Sequence, residues 1–382
     1  MKVLINTIST KKISGGAFQI AYNFLQQTLE RPDVEWSYVT SSDLDEILSI
    51  EVKRQKHYYV FPTQPDFIHS YYRVKKELKE LENILKPDVV YSITAPSYFS
   101  FDAPEVMRFT NPTVAHPNIY LWKVLPLKSK LRLKLYSWNQ KRMMRKAHYF
   151  VTQTETTKKG IVEITGLPDS HVKVVKNVLP TIFSSVGNSH IDADNDYVDV
   201  ACVAAPVPHK NLDIIPDVLF ELKQRGHNNV RFHITIPQDN EFLPIINNKL
   251  CKYNLEDRII NHGRVPQGEL ASMYRNCELC FLPSLLEVFS VSTLEAMFFD
   301  LKIVATDFPF NREVMDDACL YYEPMNACSA AEKISLLIES KELRDSLTPK
   351  MKRRLALYDN YDKHFNDILD FLIKVGEGHK LD

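Results

Sequence analysis

Two apolar patterns alternate along the 382-residue chain. Short, almost wholly apolar runs read as strands buried on both faces, as in a parallel sheet. Between them lie longer stretches with apolar residues every three to four positions, the repeat of a helix with one inward face. In the first half the strand-like runs are 3–6, 36–40, 57–61, 88–93, 113–116, 148–154 and 172–175. One helix opens at Gly15-Gly16, with Phe18, Ile20, Ala21, Phe24 and Leu25 on a shared face, and a second covers 67–85. Residues 187–196 are polar and without period, which reads as part of a linker. The series then resumes with strands at 198–204, 230–236, 258–261, 279–282 and 302–306. Helices are predicted at 212–225, 241–252, 269–276, 291–299 and 327–339, and one amphipathic helix over 350–375. Such alternation, twice over, predicts an α/β chain of two Rossmann-like domains with open, mostly parallel sheets. The boundaries read as a first domain at 1–182, a linker at 183–196, a second domain at 197–355 and a C-terminal helix at 356–382.

Composition narrows the class. Hydrophobic residues make up 45% of the chain and charged residues 25%, as in ordinary globular proteins. No run approaches the ~18 apolar residues of a membrane span, and the strand-sized apolar start is too short for a signal peptide. The six cysteines are scattered through the second half and suggest no disulfide framework, so a reducing cytoplasm is expected. Residues 1–182 hold 26 Lys and Arg against 17 Asp and Glu, a balance of +9, and the remainder carries −10. A basic first domain suits an anionic surface or acceptor. Glycine is scarce, and no G-x-G-x-x-G occurs, which argues against a dinucleotide dehydrogenase.

The most informative stretch is 281–299, FLPSLLEVFSVSTLEAMFF. A strand ends at Pro283-Ser284, a loop carries Glu287 and Phe289, and Ser290 stands at the N-cap of the next helix. That geometry aims the N–H groups of Phe289, Ser290, Val291 and Ser292 at an anion. Glu287 and Glu295 bracket the anion, and each carboxylate can accept two hydrogen bonds from a vicinal diol. A sugar and a ribose joined by a diphosphate fit this clamp. Lys210, in Pro208-His-Lys-Asn-Leu, follows the first strand of the second domain, where a cation can neutralise a diphosphate leaving group.

With Pro283-Ser284, Glu287, Phe289 and Leu294-Glu-Ala-Met297, then Lys302-Ile-Val-Ala-Thr and Asn311-Arg-Glu-Val, the chain resembles the E-x7-E motif of retaining family 4 glycosyltransferases. The resemblance extends to enzymes of bacterial polysaccharide, lipopolysaccharide and O-antigen synthesis. It implies the GT-B fold: two Rossmann-like domains facing a cleft, the last helix crossing back to the first domain, and no metal or other cofactor. It implies Glu287 on the donor sugar, Glu295 on the ribose, Lys210 on the diphosphate and Arg264 beside the nucleobase. It also implies close approach of substrate at Gly15 and Gly16, and a contact of His116 with the sugar. Three positions depart from the family: Ala204 where an Arg is usual, and Ser290 and Ser292 where Gly and Pro are common.

Residues 120–149 hold nine Lys and Arg and no acidic residue, interleaved with Leu125, Leu127, Leu131, Leu133, Leu135, Trp138 and Met143. Such a stretch can lie on an anionic membrane; no nucleic-acid motif accompanies it. Asp43-Leu-Asp45 and Asp192-Ala-Asp194 match a D-x-D metal motif of another glycosyltransferase fold and are read as incidental, as is the lone Cys277-x-x-Cys280. The expected function is transfer of a sugar from a UDP- or GDP-linked donor to an acceptor hydroxyl, with retention. The acceptor is expected to be a lipid-linked saccharide at the inner face of the cell membrane. The alternatives are a nucleotide-sugar epimerase of the same fold and a catalytically silent binding protein.

Overall fold

The computed structural model describes residues 1–12, 16–64, 70–97, 99–183, 187, 196–358 and 360–378. The chain forms two compact units. The first comprises Met1–His116, Arg132–Lys176 and Asp362–Asp382; the second comprises Pro117–Leu131 and Asn177–Tyr361.

In the first unit β1 (Lys2–Asn6), β2 (Glu35–Ser41), β3 (Tyr58–Phe61), β4 (Val89–Ser92), β5 (Glu105–Arg108), β6 (Tyr149–Thr152) and β7 (Val172–Val174) make one parallel sheet. Its order is β3-β2-β1-β4-β5-β6-β7. Successive side chains of a strand point to opposite faces. Val3, Ile5, Val89 and Tyr91 therefore enter one core while Leu4 and Val90 enter another. The helix Tyr361–Gly376 belongs to the first of these cores, with Phe365 against Phe24 at a ring-centroid distance of 4.9 Å.

The second unit has β8 (Val198–Cys202), β9 (Val230–Ile234), β10 (Ile259–Asn261), β11 (Leu279–Leu282), β12 (Lys302–Thr306) and β13 (Leu320–Tyr322). These strands are parallel and ordered β10-β9-β8-β11-β12-β13. The strand order reverses between β8 and β11. In an open α/β sheet that switch point leaves a crevice beyond the strands' carboxyl ends, where ligands bind. The helix Val291–Phe298 follows β11 at this crevice.

Four readings need correction. Residues 113–116 are not a strand; Pro112–Ala115 is a helical turn. Asn111 Oδ1 accepts the Thr113 N–H at 3.1 Å and Pro112 occupies the first turn, so the cap overrides the β-branched Thr113 and Val114. Strands β5 and β13 were not foreseen: charged Glu105 and Arg108 end the first, and the second has only three residues. The long helix over 350–375 is two helices, Lys341–Leu355 and Tyr361–Gly376. Met351 and Tyr358 pack in the second unit's core while Phe365 and Leu369 pack in the first unit's, so one straight helix cannot serve both. The stretch 212–225 opens as a 3₁₀ turn, Leu212–Ile214, before the helix Ile215–Gln224.

Most of 183–196, including Asp192 and Asp194, lies outside the described residues. Asp43 and Asp45 have structural partners: Asp43 accepts from Thr63 Oγ1 at 2.9 Å and Asp45 from Tyr58 OH at 2.7 Å. Cys277 and Cys280 are buried in the core.

Candidate active site

The site in the second unit is built from three loops at the sheet's carboxyl end. After β8 the chain runs through Ala204 to the 3₁₀ turn Pro208–Lys210, and Asn211 takes a left-handed φ of 54° that redirects it into the next helix. After β11 comes the loop carrying Ser284 and Glu287. The two loops are strapped together, since the Leu285 N–H donates to His209 O at 2.7 Å. Lys210 Nζ and the Glu287 carboxylate form a close ion pair, the side chains only 17% and 11% exposed. Burial pushes the His209 imidazole below its ordinary range; Glu287 opposes this and Lys210 adds to it. Its neutral ring thus leaves Lys210 as the cation of the loop.

The β11 loop is held from below. Thr306 Oγ1 donates to Ser284 O at 2.6 Å, and Asn311 Nδ2 donates to Thr306 O at 2.9 Å. This accounts for Asn311 in the sequence pattern: it positions the loop. From the opposite side Asn118 Nδ2 donates to Leu285 O at 2.7 Å while its Oδ1 caps the helix Ile119–Val124 at the Leu121 N–H, 3.0 Å. Sequence reasoning missed both Asn118 and His209. The Asn-x-x cap ahead of Ile119 was visible, but its tertiary partner lies 167 residues away.

Ser290 is the N-cap of Val291–Phe298, and its side chain makes no capping hydrogen bond. Ser292 Oγ instead donates to Val203 O at 3.1 Å, tying the helix start to the loop after β8. The first-turn N–H groups are ones that an α-helix cannot pair within itself. Glu295 is 4% exposed, and Tyr274 OH donates to its Oε2 at 2.7 Å. Phe289 is half-buried against Tyr358. The structure therefore brings together Lys210, Glu287 and the 289–292 helix mouth, with Glu295 one turn further along the helix. Arg264 is exposed, in the loop after β10 of the same sheet.

The remaining candidates belong to the first unit. Gly15 lies outside the described residues, and Gly16 begins the helix Gly16–Gln27. His116 ends the helical turn Pro112–Ala115, its Nε2 3.1 Å from Thr157 Oγ1. The helix carrying Thr157 approaches so closely that a methyl group on Gly160 would overlap the Ala115 carbonyl.

Residues 190–354 match the family model for glycosyl transferases group 1. The matched residues fall within the second unit. An uncharacterized glycosyltransferase of Methanocaldococcus jannaschii is 27% identical over 205 residues, 53% of this chain and 56% of that relative. The N,N'-diacetylbacillosaminyl-diphospho-undecaprenol alpha-1,3-N-acetylgalactosaminyltransferase of Campylobacter jejuni is 34% identical over 106 residues, 26% of this chain. The chain thus spans about half the length of the first of these curated relatives and 28% of the second. Among solved structures, Anabaena HepE, crystallised with UDP and glucose, superposes with a TM-score of 0.69 at 15% identity, covering 98% of this chain and all of that one. At that identity the likeness is one of fold, the two-domain GT-B architecture.

Proposed function

We propose that this protein is a retaining glycosyltransferase that moves a sugar from a nucleoside diphosphate to an acceptor hydroxyl, in cell-surface polysaccharide synthesis. The observation that carries the reading is the convergence of Lys210, Glu287 and the helix mouth at Val291 on the switch point between β8 and β11. The diphosphate lies on the helix N-terminus and draws Lys210 away from Glu287, whose carboxylate then takes the sugar hydroxyls. Glu295 takes the ribose and Arg264 flanks the nucleobase. Charge on the departing diphosphate is stabilised by Lys210 and the helix N–H groups, and the leaving group helps to accept the acceptor's proton. The first unit, with Gly16 and His116, serves the sugar and the acceptor. No metal is required, because Lys210 and the helix dipole supply the positive charge.

The acceptor is lipid-linked, and the helix Leu127–Met144 meets the inner face of the cell membrane. Leu127, Leu131, Leu135 and Trp138 are exposed along one side of it, at 82%, 63%, 62% and 64%. Lys128, Lys134 and Arg142 flank that stripe. Each basic side chain adds about 1 kcal/mol of attraction to an anionic surface. No helix of the described residues is long and apolar enough to cross a membrane.

The test is incubation with a panel of nucleotide sugars, with and without a polyprenyl-diphosphate-linked acceptor. Nucleotide release that needs the acceptor supports transfer. An isomerised donor would make the protein an epimerase, and no turnover with any pair would leave a binding protein.

A further inference from the structure

We infer that His262 is a specificity-determining hydrogen-bond acceptor, selecting a nucleobase with a ring N–H, and that a buried relay of His233 and Asp199 imposes this role on it. The inference rests on the nucleotide-site reading above and deepens it.

Asp199 on β8 and Arg231 and His233 on β9 project from one face of the sheet, with Asp199 paired to Arg231 and Ala201 to His233. Arg231 clamps the Asp199 carboxylate through two hydrogen bonds of 2.7 and 2.8 Å. His233 Nε2 is 2.9 Å from Asp199 Oδ1, and His233 Nδ1 is 2.9 Å from His262 Nε2. The chain of contacts climbs from the second residue of β8 to the carboxyl end of β10, the end that carries the candidate active site.

Proton inventory then fixes each ring. Burial would raise the Asp199 pKa, but the hydrogen bonds from His233 and Arg231 outweigh it and hold the group below its ordinary value. Asp199 is thus an ionised, acceptor-only group. His233 Nε2 must donate to it. With Arg231 also on the carboxylate, the one proton held in the 2.9 Å contact between the two rings belongs to His262, and His233 Nδ1 is its acceptor. His262 Nε2 must therefore donate to His233. Burial and the neighbouring His233 both push the His262 pKa below its ordinary value. A neutral His262 has only the Nδ1 lone pair left to offer.

The loop that presents this lone pair is rigid. Asn261 Oδ1 accepts the N–H groups of Ile236 at 3.0 Å and Gly263 at 3.1 Å, and its Nδ2 donates to Ile236 O at 2.9 Å. Gly263 turns the chain with a φ of 69°. The ends of β10 and β8 are two strand spacings apart, about 10 Å, so a nucleoside can bridge from Lys210 to His262. Uracil N3–H and guanine N1–H would meet the lone pair as donors. Cytosine N3 and adenine N1 would oppose it with lone pairs of their own. The shared chemistry is a ring N–H beside a carbonyl, from either UDP or GDP.

The test is calorimetry with UDP, GDP, CDP and ADP on the wild-type chain, H262L and H233L, with nitrogen-15 NMR of the imidazoles. UDP or GDP should bind at least ~10-fold more tightly than CDP and ADP. In H262L that preference should fall below ~3-fold. H233L should reduce it as well and release His262 from its single tautomer, an effect that loss of packing alone would not produce. NMR should find His262 protonated at Nε2 in the wild type. A His262 protonated at Nδ1, or a base ranking unchanged in H262L, overturns the inference. If none of the four nucleotides binds, the donor-site reading falls with it; binding that ignores the base overturns this inference alone.

Discussion

Lys210 and Glu287 form an ion pair, and removing either one has a different consequence. Lys210→Met strands a carboxylate whose side chain is only 11% exposed. Breaking a buried pair from one side costs about 3–5 kcal/mol; the residual exposure of both groups argues for the lower end, about 3 kcal/mol of unfolding free energy. Removing both charges, in Lys210→Met/Glu287→Gln, should restore stability to within about 1 kcal/mol of wild type. Function should follow the opposite arithmetic. Glu287→Gln frees the ammonium, so a nucleoside diphosphate should bind as tightly or more tightly. Lys210→Met should weaken it by about tenfold or more, 1.4 kcal/mol, and lower turnover at least ~100-fold. The double variant should bind as poorly as Lys210→Met although it folds well. Urea titration and calorimetry read the two quantities separately. A double variant with wild-type affinity for nucleoside diphosphate would refute the reasoning, because Lys210 would then serve only to hold Glu287 in place.

Three further outcomes are expected. Glu295→Ala should raise the nucleotide Kd at least ~10-fold by calorimetry, since charge-assisted bonds to hydroxyls contribute about 1.5–3 kcal/mol each; an unchanged Kd would remove the ribose contact. Gly160→Ala should destabilise the first unit by about 2–3 kcal/mol in urea, the cost of forcing a methyl into a packed contact, because the Ala115 carbonyl already fills that space. His364 is held neutral by burial, with Arg108 adding to the effect and a bond to Lys176 O opposing it, and its pKa is pushed down to about 4. Unfolding between pH 4 and 6.5 therefore takes up a proton. The contribution is complete above pH 6.5 and is lost toward pH 4. Relative to His364→Gln the wild type should lose about 3 kcal/mol over that window, and parallel pH–stability curves for the two chains would contradict this.

The strand positions and the parallel class were legible because strands covered on both faces leave uninterrupted apolar runs, as in 279–282 and 302–306. The Lys210 loop and the helix start at Val291 were legible for the same reason: each follows such a run. What failed was local competition and distant pairing. At 113–116 an Asn-Pro cap overrode β-branched residues, and after Leu355 an apparently continuous helix broke because its two halves serve different cores. The Ser292 hydroxyl meets Val203 O, a partner 89 residues away that periodicity does not reveal. The His233–His262 contact was hidden likewise: each residue alone reads as an ordinary imidazole at a strand's end.

The helix Tyr361–Gly376 gives the first unit a peculiar history during synthesis. Phe365, Ile368, Leu369 and Leu372 complete a core begun by Val3, Ile5 and Phe24. Those early residues leave the ribosome hundreds of codons before their partners do. The nascent first unit must therefore wait with an open apolar face while the second unit, whose residues from 177 to 361 are nearly contiguous, closes on its own. A chain arrested before codon 361 would present that face to chaperones and proteases.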